Sequence, residues 1–180
     1  MCIANKALNK YLNPIFVETG TYFGEGVAAA QEAGFEKIYS IEVSPLIHAK
    51  VSKTFSDDEK VTIVCGDSTK ILWSVIESID EKITFLLDAH SLGWADDTKD
   101  NKSLVEFPLT NELETIAKHH RKDHTILVDD VRLFSSLFGT SIEEITKLVL
   151  QINPQYELSF EDGVIEYGEI GKDEILVAQV

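Results

Sequence analysis

Short apolar runs alternate along this chain with segments whose apolar residues recur at helical spacing, and turn residues separate the two. Ile3 to Leu12 reads as a short helix closed by Asn13-Pro14. Ile15 to Glu18 reads as a first strand, which a glycine-bearing turn joins to the helix-permissive stretch Val27-Ala28-Ala29-Ala30-Gln31-Glu32. Lys37 to Val43 is a second strand; Ser44 as N-cap and Pro45 at the first helical position then open a helix to about Phe55. Val61 to Cys65 is a third strand, and Gly66-Asp67-Ser68 leads into a helix through Ile79. Ile83 to Asp88 has the unbroken apolar character of a strand buried on both faces. Pro108 to His119 carries Leu109, Leu113, Ile116 and Ala117 on one helical face, and Thr125 to Asp130 is a fifth strand. Ser141-x-x-Glu144 is a capping box for a helix to about Gln151. Tyr156 to Phe160 and Glu174 to Val180 close the sheet, with Asp162-Gly163 as the turn between them. Strand and helix alternating in this way predict an α/β fold, a doubly wound, mostly parallel seven-stranded sheet with an antiparallel C-terminal hairpin.

The polar stretch from Ser91 to Glu106 is too long for an ordinary strand-to-helix loop and reads as an active-site insertion, spanning about 91–107. Residues 1–180 otherwise form a single domain, and at 44% hydrophobic the chain can fill a core without disulfides. Cys2 and Cys65 give no disulfide framework; Cys65 ends an apolar run and is expected in the core, in a reducing, cytoplasmic setting. A net charge of −15 and the lack of any Lys/Arg cluster exclude a nucleic-acid partner and disfavour an anionic membrane surface. The same surplus of acid suits a cationic cosubstrate or a divalent metal, and serves solubility equally well.

Acids at strand ends change the picture most. Glu18, Glu42, Asp88 and the pair Asp129-Asp130 finish four of the strands, and Asp67 lies just past the end of another. In an open α/β sheet those ends share one rim, where ligands bind. Like charges gathered there repel by roughly 4 kcal/mol per close pair at an effective dielectric near 20, so a positive partner is expected. Glu42 follows Gly20 at about the spacing that places an acid on ribose hydroxyls, or else it serves the N-terminus of the next helix. Asp67 either meets a ligand or caps the helix that follows. The carboxylates of Asp88, Asp129 and Asp130 are hard oxygen donors suited to Mg²⁺ or Ca²⁺; alternatively Asp129 caps a turn and Asp130 meets Arg132.

The turn reads Glu18-x-Gly20-x-x-x-Gly24-x-Gly26, which does not match the G-x-G-x-x-G dinucleotide fingerprint. It resembles the E/D-x-G-x-x-x-G-x-G signature of class I S-adenosylmethionine-dependent methyltransferases. With Leu87-Asp88-Ala89-His90 and Val128-Asp129-Asp130-Val131, the chain from Ile15 to Val131 resembles the metal-dependent, macrocin O-methyltransferase-like branch of that class. The resemblance implies that S-adenosylmethionine lies against Glu18, Thr19, Gly20, Thr21, Tyr22, Gly24 and Gly26. It adds Glu42 and Val43, Gly66, Asp67 and Ser68, and Asp88. It further implies that Asp88, Asp129 and Asp130 coordinate a divalent cation, with Mg²⁺ expected.

The activity so implied is methyl transfer to a hydroxyl of a small acceptor, a sugar or other natural product. His90 is the candidate base, since histidine titrates near neutrality and this one follows Asp88 by two residues; Asp88 is the second choice. His48, His119, His120 and His124 are expected on helix or loop surfaces. Trp94 in the insertion offers either a platform for an acceptor ring or an anchor for the loop. The acceptor pocket is expected to be shallow or completed by a second copy of the chain. Two other readings remain open: a catalytically silent S-adenosylmethionine-binding module, and a nucleotide-binding enzyme of redox type.

Overall fold

The five apolar runs of the first two thirds of the chain assemble side by side in one sheet, with the central ones buried on both faces. The computed structural model describes residues 8–90, 107–164 and 169–180. Its strands are β1 (Ile15–Thr19), β2 (Lys37–Glu42), β3 (Val61–Cys65), β4 (Ile83–Leu87), β5 (Thr125–Val128), β6 (Glu157–Val164) and β7 (Ile170–Gln179). The helices are α1 (Glu25–Ala33), α2 (Pro45–Thr54), α3 (Ser68–Ile76), α4 (Leu109–Ile116) and α5 (Ile142–Ile152). Strands run in the order β3-β2-β1-β4-β5-β7-β6; the first five are parallel, β7 is antiparallel to β5, and β6 is antiparallel to β7. The expected doubly wound sheet with its antiparallel C-terminal pair is therefore present.

Strand parity divides the core. Ile15 and Val17 of β1 pack with Leu72 and Ile76 of α3, Leu113 and Ile116 of α4, and Val149 of α5. Phe16 points the other way, into a cluster with Val27, Ala29 and Ala30 of α1, with Phe35 and with Ile38 of β2. Both faces of β1, β4 and β5 are thus covered, and every residue of the three is buried. The capping box at Ser141 and Glu144 forms as expected, and Ser44 caps α2 with Pro45 in its first turn.

Several boundaries differ from the sequence pattern. The helix after Ser68 stops at Ile76, and Ile79 is instead held in a following turn by its N–H on the Ile76 carbonyl (3.0 Å). The helix expected over Pro108 to His119 occupies Leu109–Ile116. Asp162-Gly163 is not a turn: β6 runs through it with a bulge between Glu161 and Gly163, and Gly163 pairs with Gly171. A Cβ at Gly163 would meet the Glu174 side chain at 2.8 Å, so glycine serves close packing there. Cys65 is exposed, because β3 is the edge strand of the sheet and none of its residues is fully buried. Of the N-terminal helix, the described part is a 3₁₀ turn at Asn9–Tyr11. Cys2, residues 3–7 and the insertion with Trp94 lie outside the described residues. Among the described residues no helix is long and apolar enough to cross a membrane.

Candidate active site

Strand order reverses between β1 and β4, which makes the carboxyl ends of these two strands the edge of a crevice. Backbone bonds stitch this rim together one residue beyond the strands. The Asp88 N–H donates to the Thr19 carbonyl (3.2 Å), the Asp129 N–H to Leu87 (3.1 Å), the Gly20 N–H to Ile41 (3.0 Å) and the Gly66 N–H to Glu42 (2.8 Å). Asp88 and Asp129 are therefore each fixed in place by the strand beside their own.

The turn after β1 is built around this closeness. Gly20 has φ +87°, and a Cβ there would lie 2.6 Å from the Asp88 carbonyl oxygen; at Gly24, φ +84°, a Cβ would strike the Phe55 ring at 2.5 Å. The demand for glycine at both positions thus comes from the protein's own backbone and core. Tyr22 also holds a positive φ of 47°, steadied by its N–H on Glu42 Oε2 (2.9 Å). Glu42 Oε1 accepts the Ser44 N–H at 2.8 Å, so this buried carboxylate ties the turn to the start of α2.

Glu18 shares its sheet face with Phe16 and is 2% exposed. Ser40 on β2 donates to its Oε2 at 2.5 Å, and having one hydrogen to give, Ser40 must itself accept from Thr21 (2.6 Å). Burial pushes the Glu18 carboxyl up to about 8 in spite of the Ser40 bond. Asp67 caps α3, accepting from the Thr69 N–H and hydroxyl, and pairs with Lys70 at 2.9 Å. Burial opposes its charge, but these donors hold its carboxyl below the ordinary range. The capping alternative for Asp67 is thus realised in this structure. Val43 follows β2 directly, and Ser68 begins α3.

Asp88, Asp129 and Asp130 stand just past β4 and β5. Burial first, and then the negative charges of Asp129, Asp130 and Glu18, raise the Asp88 carboxyl well above its ordinary value. Burial and then Asp130 push Asp129 up to about 7. Asp130 behaves differently. Burial works against its charge, yet His90 and Arg132 hold its carboxyl below the ordinary range. It sits at φ 58° as the first turn after β5 begins. His90 Nε2 is 2.5 Å from Asp130 Oδ2 and 3.6 Å from Asp88 Oδ1, while Arg132 donates to Asp130 Oδ1 at 2.6 Å and to Glu174 on β7. Asp129 Oδ1 accepts the N–H of Asp130 at 2.8 Å.

Ligand atoms of Asp88, His90 and Asp130 all lie within 4.8 Å of one another, as do those of Asp129, Asp130 and Glu174. A small cavity is lined by Asp88, His90, Phe107, Glu112 and Asp129. Phe107 stacks on Phe138 (ring centroids 4.1 Å, 9°), and the pair walls an open groove of about 540 Å³ that includes Thr140 and Lys147. Crowded acids whose charge is opposed by burial and by one another fit a divalent cation, and the available donors are oxygens with one imidazole nitrogen.

Glu112, Arg132 and Glu174 were not singled out from the sequence as site residues. Glu112 is 1% exposed; Ser68 donates to it at 2.5 Å and burial pushes it up to about 7. Its signal was present, since it is an acid inside the apolar stripe formed by Leu109, Leu113 and Ile116. His119 and His124, expected at the surface, are buried. His124 accepts the Ile83 N–H at Nδ1 and donates from Nε2 to His119 Nδ1 (2.9 Å), and the His119 Nε2 faces the Ile79 carbonyl at 3.0 Å. Backbone partners fix both rings as neutral tautomers. His48, bonded to Ile63 and Ser52, is half-buried and His120 is exposed.

No protein-family profile and no curated protein sequence matches the chain. Solved structures do. The O-methyltransferase from Bacillus cereus in complex with SAH superimposes with a TM-score of 0.66 at 15% identity, over 98% of this chain and 78% of that one. The O-methyltransferase TomG from Streptomyces achromogenes, involved in tomaymycin synthesis and in complex with SAM, gives 0.61 at 14% identity, over 98% and 77%. An rRNA methylase from Streptococcus thermophilus gives 0.59 at 16% identity, over 97% and 92%. At these identities the likeness establishes the fold, that of the Rossmann-like methyltransferases.

Proposed function

We propose that this protein is an S-adenosylmethionine-dependent O-methyltransferase that acts on a small hydroxylated acceptor with the help of a divalent cation, Mg²⁺ on an all-oxygen reading of its three aspartates. The observation that carries this reading is the gathering of Asp88, Asp129 and Asp130 just past β4 and β5 at the switch point of a methyltransferase fold, with the Asp88 backbone against Gly20. When bound, S-adenosylmethionine supplies an electrophilic methyl group, and the cation lowers the pKa of the acceptor hydroxyl and orients it.

The chain's own residues supply placement. The turn from Glu18 to Gly26 forms the floor for the cofactor. Glu42 is set at the end of β2 to accept from ribose hydroxyls, and Gly66, Asp67 and Ser68 border the place for the base. Asp88 and the Asp129-Asp130 pair hold the acceptor's side of the crevice negative, which favours a sulfonium beside it. In the reaction the acceptor O–C bond forms as the C–S bond breaks in line, and positioning carries much of the rate. The acceptor's proton departs toward Asp88, whose buried carboxyl is raised well above its ordinary value. The Phe107–Phe138 wall is an apolar boundary on which the rest of a small acceptor can rest.

Calorimetric titration with S-adenosylhomocysteine, with and without Mg²⁺, tests the proposal on the intact chain and on Asp129→Asn. Cofactor binding should persist in the variant while Mg²⁺ affinity falls by about tenfold or more. Failure of the intact chain to bind S-adenosylhomocysteine would overturn it.

A further inference from the structure

His90 is bonded unlike the buried histidines that serve the fold. His119 and His124 each engage both ring nitrogens, with backbone groups and with each other. His90 is nine-tenths buried, yet its Nδ1 has no hydrogen-bond partner among the described residues. A buried polar atom left unsatisfied calls for a reason. The other nitrogen, Nε2, is inserted between two carboxylates from different strand ends, 2.5 Å from Asp130 and 3.6 Å from Asp88. The Phe138 ring, 5.2 Å away between centroids, supports the imidazole from one side.

Around a metal with ligand bonds near 2.1 Å, adjacent donor atoms stand about 3 Å apart, so the observed separations differ from a coordination triangle by only about half an ångström each way. The two carboxylates are anchored by independent devices. Asp88 is held by its backbone bond to Thr19, and Asp130 by the Arg132–Glu174 pair on its other oxygen. Arg132 pairs with Asp130 Oδ1 and with Glu174, two members of the second acidic group, and leaves Asp130 Oδ2 to face His90 Nε2.

We infer that His90 is a metal ligand, completing with Asp88 and Asp130 a two-carboxylate, one-imidazole site for a divalent transition ion of the Mn²⁺ to Co²⁺ type in preference to Mg²⁺. Mg²⁺ prefers oxygen donors, whereas a neutral imidazole adds affinity along the series from Mn²⁺ upward. The inference rests on the proposed cation-assisted methyl transfer and refines its metal. It also gives His90 a different task from the free base expected from the sequence, because a ring nitrogen committed to an ion is not available to the acceptor's proton.

Electron spin echo spectroscopy of Mn²⁺ added to the full chain tests this directly. A bound imidazole nitrogen should give ¹⁴N modulation in the intact protein, and the modulation should vanish in His90→Gln. Mn²⁺ affinity should fall by about tenfold or more in that variant while Mg²⁺ affinity changes by less than about twofold, erasing the preference. Mn²⁺ that fails to bind, that binds without ¹⁴N modulation, or that binds His90→Gln as tightly as the intact chain would overturn the assignment. Should the variant fail to fold, the spectrum of the intact protein decides alone. S-adenosylhomocysteine titration of the same sample reports separately on the proposed activity: cofactor binding and Mn²⁺ binding without the nitrogen signal leave the methyltransferase reading standing and remove only His90 from the metal.

Discussion

At the scale of single residues, the crevice depends on groups kept in unfavourable states. Gly20 is one: its positive φ and the 2.6 Å approach to the Asp88 carbonyl leave no room for a side chain. Gly20→Ala should cost about 1–2 kcal/mol from the left-handed backbone alone, with the clash in addition, and should displace Asp88. Urea denaturation would read the first effect and S-adenosylhomocysteine titration the second; a variant with unchanged stability and affinity would show that the turn has no such constraint. Glu112 is another. Its folded carboxyl is raised to about 7, so its contribution is fully present below the unfolded value near 4.5 and is lost as pH rises through 7. Glu112→Gln keeps an acceptor for the Ser68 hydroxyl and removes the charge. The variant should therefore gain stability relative to the intact chain as pH rises from about 4.5 to 7, by an amount on the order of 1 kcal/mol per unit of pKa shift at most. Thermal melts across that range would show the gap widening upward; a gap that is constant or narrows contradicts it.

At the scale of elements, what could be read in advance was what periodicity and local chemistry dictate. The apolar runs of β1, β2, β3, β4 and β5, the Ser44-Pro45 start of α2 and the Ser141 box of α5 all declare themselves through residues within one or two turns. Asp162-Gly163 misled because the same dipeptide serves a turn or a bulge, and only the partner strand, with Glu174 packed against Gly163, decides which. The His119–His124 pair was hidden for a similar reason. Nothing in the local sequence shows that the segment between α4 and β5 folds back onto Ile79 and Ile83, where the backbone supplies partners for both rings. Those partners make the pair a sensor of acid. Burial first, and then His119, press His124 down to about 3, and burial likewise lowers His119. A depressed histidine contributes stability that is complete above its unfolded value near 6.5 and is lost as pH falls below it, since the unfolded chain takes the proton first. His124→Phe leaves the Ile83 N–H without its acceptor and should cost about 1–3 kcal/mol at pH 7.5. By pH 5 that deficit should shrink by about 2 kcal/mol, because the intact chain alone bears the histidine's linkage. Parallel denaturant curves at the two pH values check the sign; a deficit that grows on acidification would show that His124 is charged in the folded state.

At the scale of the whole molecule, sheet order and charge act together. The reversal between β1 and β4 gathers acids that lie far apart in sequence, which is why the candidate site was legible as a list of strand-end carboxylates while its pairings were not. That Arg132 reaches from β5's end to Glu174 on β7 depends on the antiparallel return of the chain, and no spacing in the sequence encodes it. The chain as a whole carries −15, so two distinct effects of cations should be separable. Monovalent salt screens the general self-repulsion and should raise the melting temperature smoothly, with no saturation at low concentration, over the range where the Debye length falls from about 30 Å to 10 Å. A bound divalent ion adds RT ln(1 + [L]/Kd), about 2.7 kcal/mol at a hundredfold excess over Kd, on top of screening at equal ionic strength. Asp130→Asn, which removes a carboxylate shared by both acidic groups, should abolish the divalent increment and leave the response to NaCl intact. Equal melting curves in MnCl₂ and NaCl at matched ionic strength would mean that the rim acids are only part of the general charge, and that their convergence at the switch point holds no ion.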